Sequence, residues 1–127
     1  MTHTTYRPHT TADERTGAML SHLATIISMV ISVGWLSFVG PLVMWLLNKD
    51  RSPFVRRAAA GSFNFNIGMW VMTIVGWICV FTVVLLPVGL VLMAIAAIAT
   101  LWCHIKGAFR ASRGETYDYP FQIRILS

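Results

Sequence analysis

Three side chains hold the strongest polar chemistry inside the apolar parts of this 127-residue chain: His22, Asn64 and Asn66. Ionisable groups at membrane depth default to functional candidates, as proton carriers or as ligands to a substrate. A relay needs a second titratable group within reach. From Thr16 to Leu47 and from Ala58 to Ile105 there is no Asp, Glu, Lys or Arg. His22 therefore has no charged partner in its run, and the two asparagines fit hydrogen bonding between helices as well as function. Asp13 and Glu14 are adjacent acids, and adjacent helical residues do not face one another; they suit a helix start. Glu115 and Asp118 lie in a separate surface patch. No phosphate loop, no paired carboxylates and no Ser/His/Asp set emerge, so the catalytic expectation is none.

Metal and cofactor sites are also not expected. His3 and His9 sit in a Thr-rich stretch without neighbouring ligands. Cys79 and Cys103 lack ligand spacing and read as small hydrophobes in a bundle.

The elements that position these residues follow from charge and hydropathy. The chain is 56% hydrophobic and only 12% charged, whereas soluble domains carry about 25% charged residues. Its net charge of +5 is gathered beside apolar runs rather than spread over a surface. Lys49, Arg51, Arg56 and Arg57 stand against Asp50 in an island between two uncharged runs, and Lys106 and Arg110 follow the second run. This pattern fits a loop and a helix end held at the cytoplasmic face by the positive-inside bias. The expected ionic partner is anionic lipid headgroups, each basic residue contributing about 1 kcal/mol; nucleic acid is not expected.

Residues 1–12 read as a mobile polar tail without the pattern of a cleaved signal peptide. Residues 13–114 read as a helical transmembrane domain, and 115–127 as an interfacial tail. Ala18 to Leu47 as one helix would be about 45 Å long, against a hydrocarbon core of about 30 Å. The Gly34–Pro41 stretch is the expected break, giving helices over Glu14–Val33 and Pro41–Asn48 as a hairpin; the alternative is one kinked span. Ser52-Pro53 suits a helix opening, with the apolar part running from Phe63 to Leu86. Pro87-Val88-Gly89 reads as a turn, and Leu90 to Ile105 as the return, continuing to a stop at Gly114. The fold class is thus an all-α integral membrane protein: a four-helix bundle, its first two helices a short hairpin, with a C-terminal extended or β tail at the membrane surface. Tyr117 and Tyr119 would anchor that tail at the interface. The expected location is a bacterial plasma membrane, multi-pass, with both ends cytoplasmic.

Projected at 100° per residue, three helices each show a seam of small or weakly polar residues. Ser21, Thr25, Ser28 and Ser32 form the first. Ser62, Asn66, Met69, Thr73 and Gly76 form the second, and Gly89, Met93, Ala96, Thr100, Cys103 and Gly107 the third. Such seams serve close helix packing or line a hydrophilic path; both readings stand at this point.

Several ordered phrases carry a resemblance: Glu14-Arg15, Ser21-His22-Leu23, Gly40-Pro41-Leu42, Lys49 to Val55, Asn64-Phe65-Asn66, Gly114-Glu115 and Tyr119-Pro120. The chain resembles a bacterial family of small membrane proteins of unknown function. That family is grouped by similarity with the twenty-kilodalton component of the chloroplast inner-envelope protein translocon. The resemblance implies four membrane helices with both ends cytoplasmic, and no settled activity. Where that family shows acids, His or Lys after Ser-Pro-Phe-Val, this chain has Arg56-Arg57-Ala58-Ala59-Ala60-Gly61. The functional expectation is a non-catalytic scaffold or accessory subunit of a larger membrane assembly, with a membrane-protein partner or further copies of itself. The alternative is a homo-oligomeric channel or translocon-like element with the seams lining its path.

Overall fold

A computed structural model describes residues 10–32 and 35–127; His3, His9 and Gly34 lie outside the described residues. Helix α1 (Ala12–Ile31) starts at a capping box: the Glu14 N–H donates to the Thr11 hydroxyl (3.1 Å), and the Thr11 N–H donates to the Glu14 carboxylate (3.0 Å). Two orphan amides are thereby satisfied, and the acids of the first turn oppose the helix dipole.

The break falls where glycine and proline place it. Turns over 35–38 lead into α2 (Val39–Asn48). A Cβ at Gly40 would meet the Ala24 carbonyl and lie 2.5 Å from the Ser28 hydroxyl. Only a hairpin brings residues sixteen apart in sequence to that contact, so α2 folds back on α1 and the single kinked span is not what forms.

Helix α3 (Pro53–Phe81) opens on Ser52, whose hydroxyl accepts from the Val55 N–H at 3.3 Å with Pro53 in the first turn. The Ser52 hydroxyl also donates to Glu14 at 2.8 Å, tying the starts of α1 and α3 together. Helix α4 (Leu86–Ser112) ends in a Schellman arrangement: Gly114 at φ 76° lets its N–H reach the Ala111 carbonyl (3.0 Å) and the Glu115 N–H reach that of Arg110 (3.0 Å).

The α3–α4 turn differs from expectation. It occupies 82–85, with Val83 at φ 63°, and Pro87 lies in the first turn of α4, where its missing N–H costs nothing. Gly89 is consequently helical. Its lack of a Cβ serves packing instead: a Cβ there would strike the Gly76 carbonyl, and one at Gly76 would lie 2.6 Å from Met93.

α3 and α4 pack together and both contact α1, while α2 packs on α1 and α3 only. The architecture is four helices with no strand among the described residues. α3 and α4 are long and apolar enough to cross a membrane. The membrane assignment rests on where that apolar surface points. Ile95, Ile98, Leu101, Trp102, Ile105 and Phe109 of α4 are all exposed, and a water-soluble monomer does not sustain so large an apolar face.

Candidate functional site

Of the three polar groups singled out in the sequence, His22 and Asn64 meet the C-terminal tail at the end of the bundle where α3 starts and α4 ends, and Asn66 does not join them. α1 contributes His22, 1% exposed, and α3 contributes Ser62, 0% exposed. A third group comes from the tail. After Gly114 the chain turns back over the helix ends and drives Tyr119, 5% exposed, into the bundle. Its hydroxyl lies 2.6 Å from His22 Nδ1 and 3.0 Å from Ser62 Oγ, which is itself 3.0 Å from His22 Nδ1. The phenol is the stronger acid, so the arrangement that satisfies the pair has Tyr119 donating to the imidazole and accepting from Ser62.

An aromatic shell fixes the ring. Phe65 stacks on Tyr119 with centroids 4.7 Å apart, Tyr117 meets it edge-on at 4.8 Å, and His104 lies at 5.1 Å. His104 Nδ1–H donates to the Thr100 carbonyl (2.8 Å), which leaves Nε2 buried without a hydrogen-bond partner. Burial raises the Tyr119 phenol well above its ordinary pKa and raises that of Tyr117 as well. The tail tyrosines expected at the interface thus divide: Tyr119 is a core residue, and Tyr117 packs against it. Cys103 is buried in the same cluster.

Asn64 fastens the rest of the tail. Its Nδ2 donates to the Leu126 carbonyl (2.8 Å), and its Oδ1 accepts from the Ile125 (3.0 Å) and Leu126 (2.9 Å) amides. The Trp45 indole of α2 donates to the Ser127 carbonyl at 3.0 Å. The tail is therefore a strap across the helix ends, extended but not paired as a strand. Asn64 bonds to this strap rather than from helix to helix.

The remaining seam residues form a second, separate feature. Asn66 donates to Ser37 at 2.7 Å. With Thr73, Ala96, Thr100, Met69 and Met93 it lines a crevice of about 110 Å³. The Thr73 and Thr100 hydroxyls donate to carbonyls of their own helices, Met69 (2.9 Å) and Ala96 (2.7 Å). Gly76 and Gly89 seal the α3–α4 crossing above it.

The basic residues stay outside. Arg57 pairs with Asp118 of the strap at 3.1 Å. Arg56 donates to the Lys49 carbonyl at 3.4 Å, Lys49 stands 5.5 Å from the Trp45 ring, and Arg51 is exposed. Arg110 lies 5.9 Å from the Tyr117 ring, beside Lys106 in a groove.

The Ser62–His22 contact has the length of a nucleophile–base pair, but its setting differs from one. Both residues are shut away from solvent, and His22 Nδ1 is engaged by the Tyr119 hydroxyl, with Ser62 beside it at 3.0 Å, rather than held by an orienting carboxylate. Sequence reasoning missed His104 and Tyr119. For His104 a signal existed, since it follows Thr100 by four residues and shares its face. For Tyr119 there was none, because an aromatic-rich tail suits the membrane interface as well as the bundle and nothing local says which it takes.

The fold and site define a small helical membrane protein whose own C-terminal strap is locked into its polar core. Residues 13–126 match the model of the magnetosome magnetite crystal formation protein family (MamF/MmsF), and the chain belongs to that family. The match carries no link to a chloroplast translocon. No curated protein and no solved structure matches the chain.

Proposed function

We propose that the protein is a non-catalytic scaffold or accessory subunit of a membrane assembly active in magnetite crystal formation. The observation that carries this reading is how the deep polar groups are used. His22, Ser62, Asn64 and Asn66 all hold this chain's own strap or loop. The broad apolar faces of α1, α2 and α4 stay open to lipid or partner helices. Family membership supplies the process. In this reading α3 and α4 cross the membrane, the α1–α2 hairpin lies beside them, and the basic island and strap face the cytoplasm. A different membrane protein covers part of the apolar surface, with or without further copies of this chain.

Purification at native expression in mild detergent, with mass analysis of what travels with the chain, tests this. A stoichiometric heterologous membrane protein is the expected result. A clean homo-oligomer without such a partner overturns the accessory reading.

One observation favours a passive conduit as the second reading: the crevice of about 110 Å³ gathers Asn66, Thr73 and Thr100 from two helices. Cysteines placed at Asn66 and Thr73, with Cys79 and Cys103 removed, would then react with water-soluble thiol reagents in intact membranes. In a scaffold they stay protected.

A further inference from the structure

The strap does more than close the bundle: with the last turns of α4 it walls a groove of about 540 Å³, within the range of roughly 300–1,000 Å³ typical of small-molecule sites. We infer that this groove binds the phosphate of an anionic phospholipid, held between Lys106 and Arg110 with Trp102 at the acyl boundary.

Trp102, Lys106 and Arg110 are spaced by four residues and share one face of α4. Lys106 and Arg110 are about 6 Å apart along the helix axis, close enough for both long side chains to meet one phosphate. Tyr117 of the strap forms the opposite wall and fixes the Arg110 guanidinium, whose centre lies 5.9 Å from the ring. Neither cation has a carboxylate partner: the ion pairs among the described residues are Arg57–Asp118 and Arg113–Glu115. Asp118 also lines the groove, but Arg57 already engages it at 3.1 Å. The groove thus holds two uncompensated positive charges.

The surroundings select a lipid rather than a free anion. Trp102 is 68% exposed, and Ile98, Leu101 and Ile105 continue an exposed apolar stripe away from the groove. An amphipathic indole suits the boundary between hydrocarbon and headgroup. A phosphodiester placed at Lys106 and Arg110 lets its acyl chains run along that stripe. Inorganic phosphate would use the cations and leave the stripe uncovered. The inference is read on the purified chain alone, so it stands or falls separately from the accessory reading.

The test uses the full chain in nanodiscs of zwitterionic phosphatidylcholine, into which phosphatidylglycerol is titrated. The readouts are lipid retention in native mass spectrometry and thermal unfolding. The expected result is retained phosphatidylglycerol and a raised midpoint for the wild type. K106Q/R110Q should weaken retention about thirtyfold, from a factor of about five for each of the two cations that meet the phosphate. K49Q/R51Q, which removes two cations from the α2–α3 loop outside the groove, should lower retention by far less than K106Q/R110Q does. Should the double variant fail to fold by circular dichroism, R110Q alone carries the same comparison. Three outcomes overturn the inference: retention unaffected at Lys106 and Arg110; an equal loss in K49Q/R51Q, which means diffuse attraction; or full competition and equal stabilisation by inorganic phosphate, which means a free-anion site.

Discussion

Tyr119 is the residue on which the polar core turns. Tyr119→Phe keeps the ring and its stacking on Phe65 but removes the hydroxyl shared by His22 and Ser62. Those two remain within 3.0 Å of one another, so the loss is partial. The expected cost is about 1 kcal/mol, read as a lower midpoint in detergent-based unfolding. Tyr119→Ala should cost roughly 3–5 kcal/mol, because it also opens a cavity among aromatic rings. The tail tyrosines give a pH prediction whose sign is fixed. Their folded-state pKa values lie above the ordinary 10.0, so the folded chain keeps protons that the unfolded chain releases. This stabilisation is complete below pH 10 and is lost as pH rises further. Tyrosinate absorbance should therefore rise together with strap release, above the range of an ordinary phenol.

Elements meet here through absent side chains and through one clamp. Gly76→Leu places a branched side chain where even a Cβ lies 2.6 Å from Met93 and 3.0 Å from the Gly89 carbonyl. Backbone cannot move aside as a flexible side chain does, so the expected cost is at least the roughly 1–3 kcal/mol of an overpacked core, with separation of α3 from α4. Asn64→Ala leaves the Ile125 and Leu126 amides without their acceptor. The strap should then detach locally, costing roughly 1–3 kcal/mol and showing as faster proteolysis and amide exchange over 120–127. The α3–α4 turn offers a stabilising change. Val83 holds φ 63° and is 73% exposed, so Val83→Gly removes strain and little packing. A gain of about 1 kcal/mol is expected, measured by denaturant titration in detergent.

At the level of the whole molecule, the sequence by itself determined the helices and their setting. Long uncharged runs bounded by Thr11, Ser52-Pro53 and Gly114 dictate where helices begin and end, because caps and apolar length are local properties. The Gly–Pro break likewise made the hairpin legible, since a 30-residue helix exceeds the bilayer. The α3–α4 turn was misplaced for an equally local reason: proline fits the first turn of a helix as well as a loop, and only the Gly76–Gly89 contact decides between them. The seams were legible as faces but not as sites. They separated in space into a tail lock around His22 and Ser62, a crevice around Asn66, Thr73 and Thr100, and a seal at Gly76 and Gly89. Only the tertiary structure decided the role of the tail, for which the sequence suggested an interfacial resting place. Tyr119 meets His22 across 97 residues of chain, and Asn64 takes its partners from 61 and 62 residues away. Periodicity records which way a side chain points within its own helix. It carries no information about which distant segment will fill the space in front of it, and that is settled by burial and hydrogen-bond satisfaction in the folded chain.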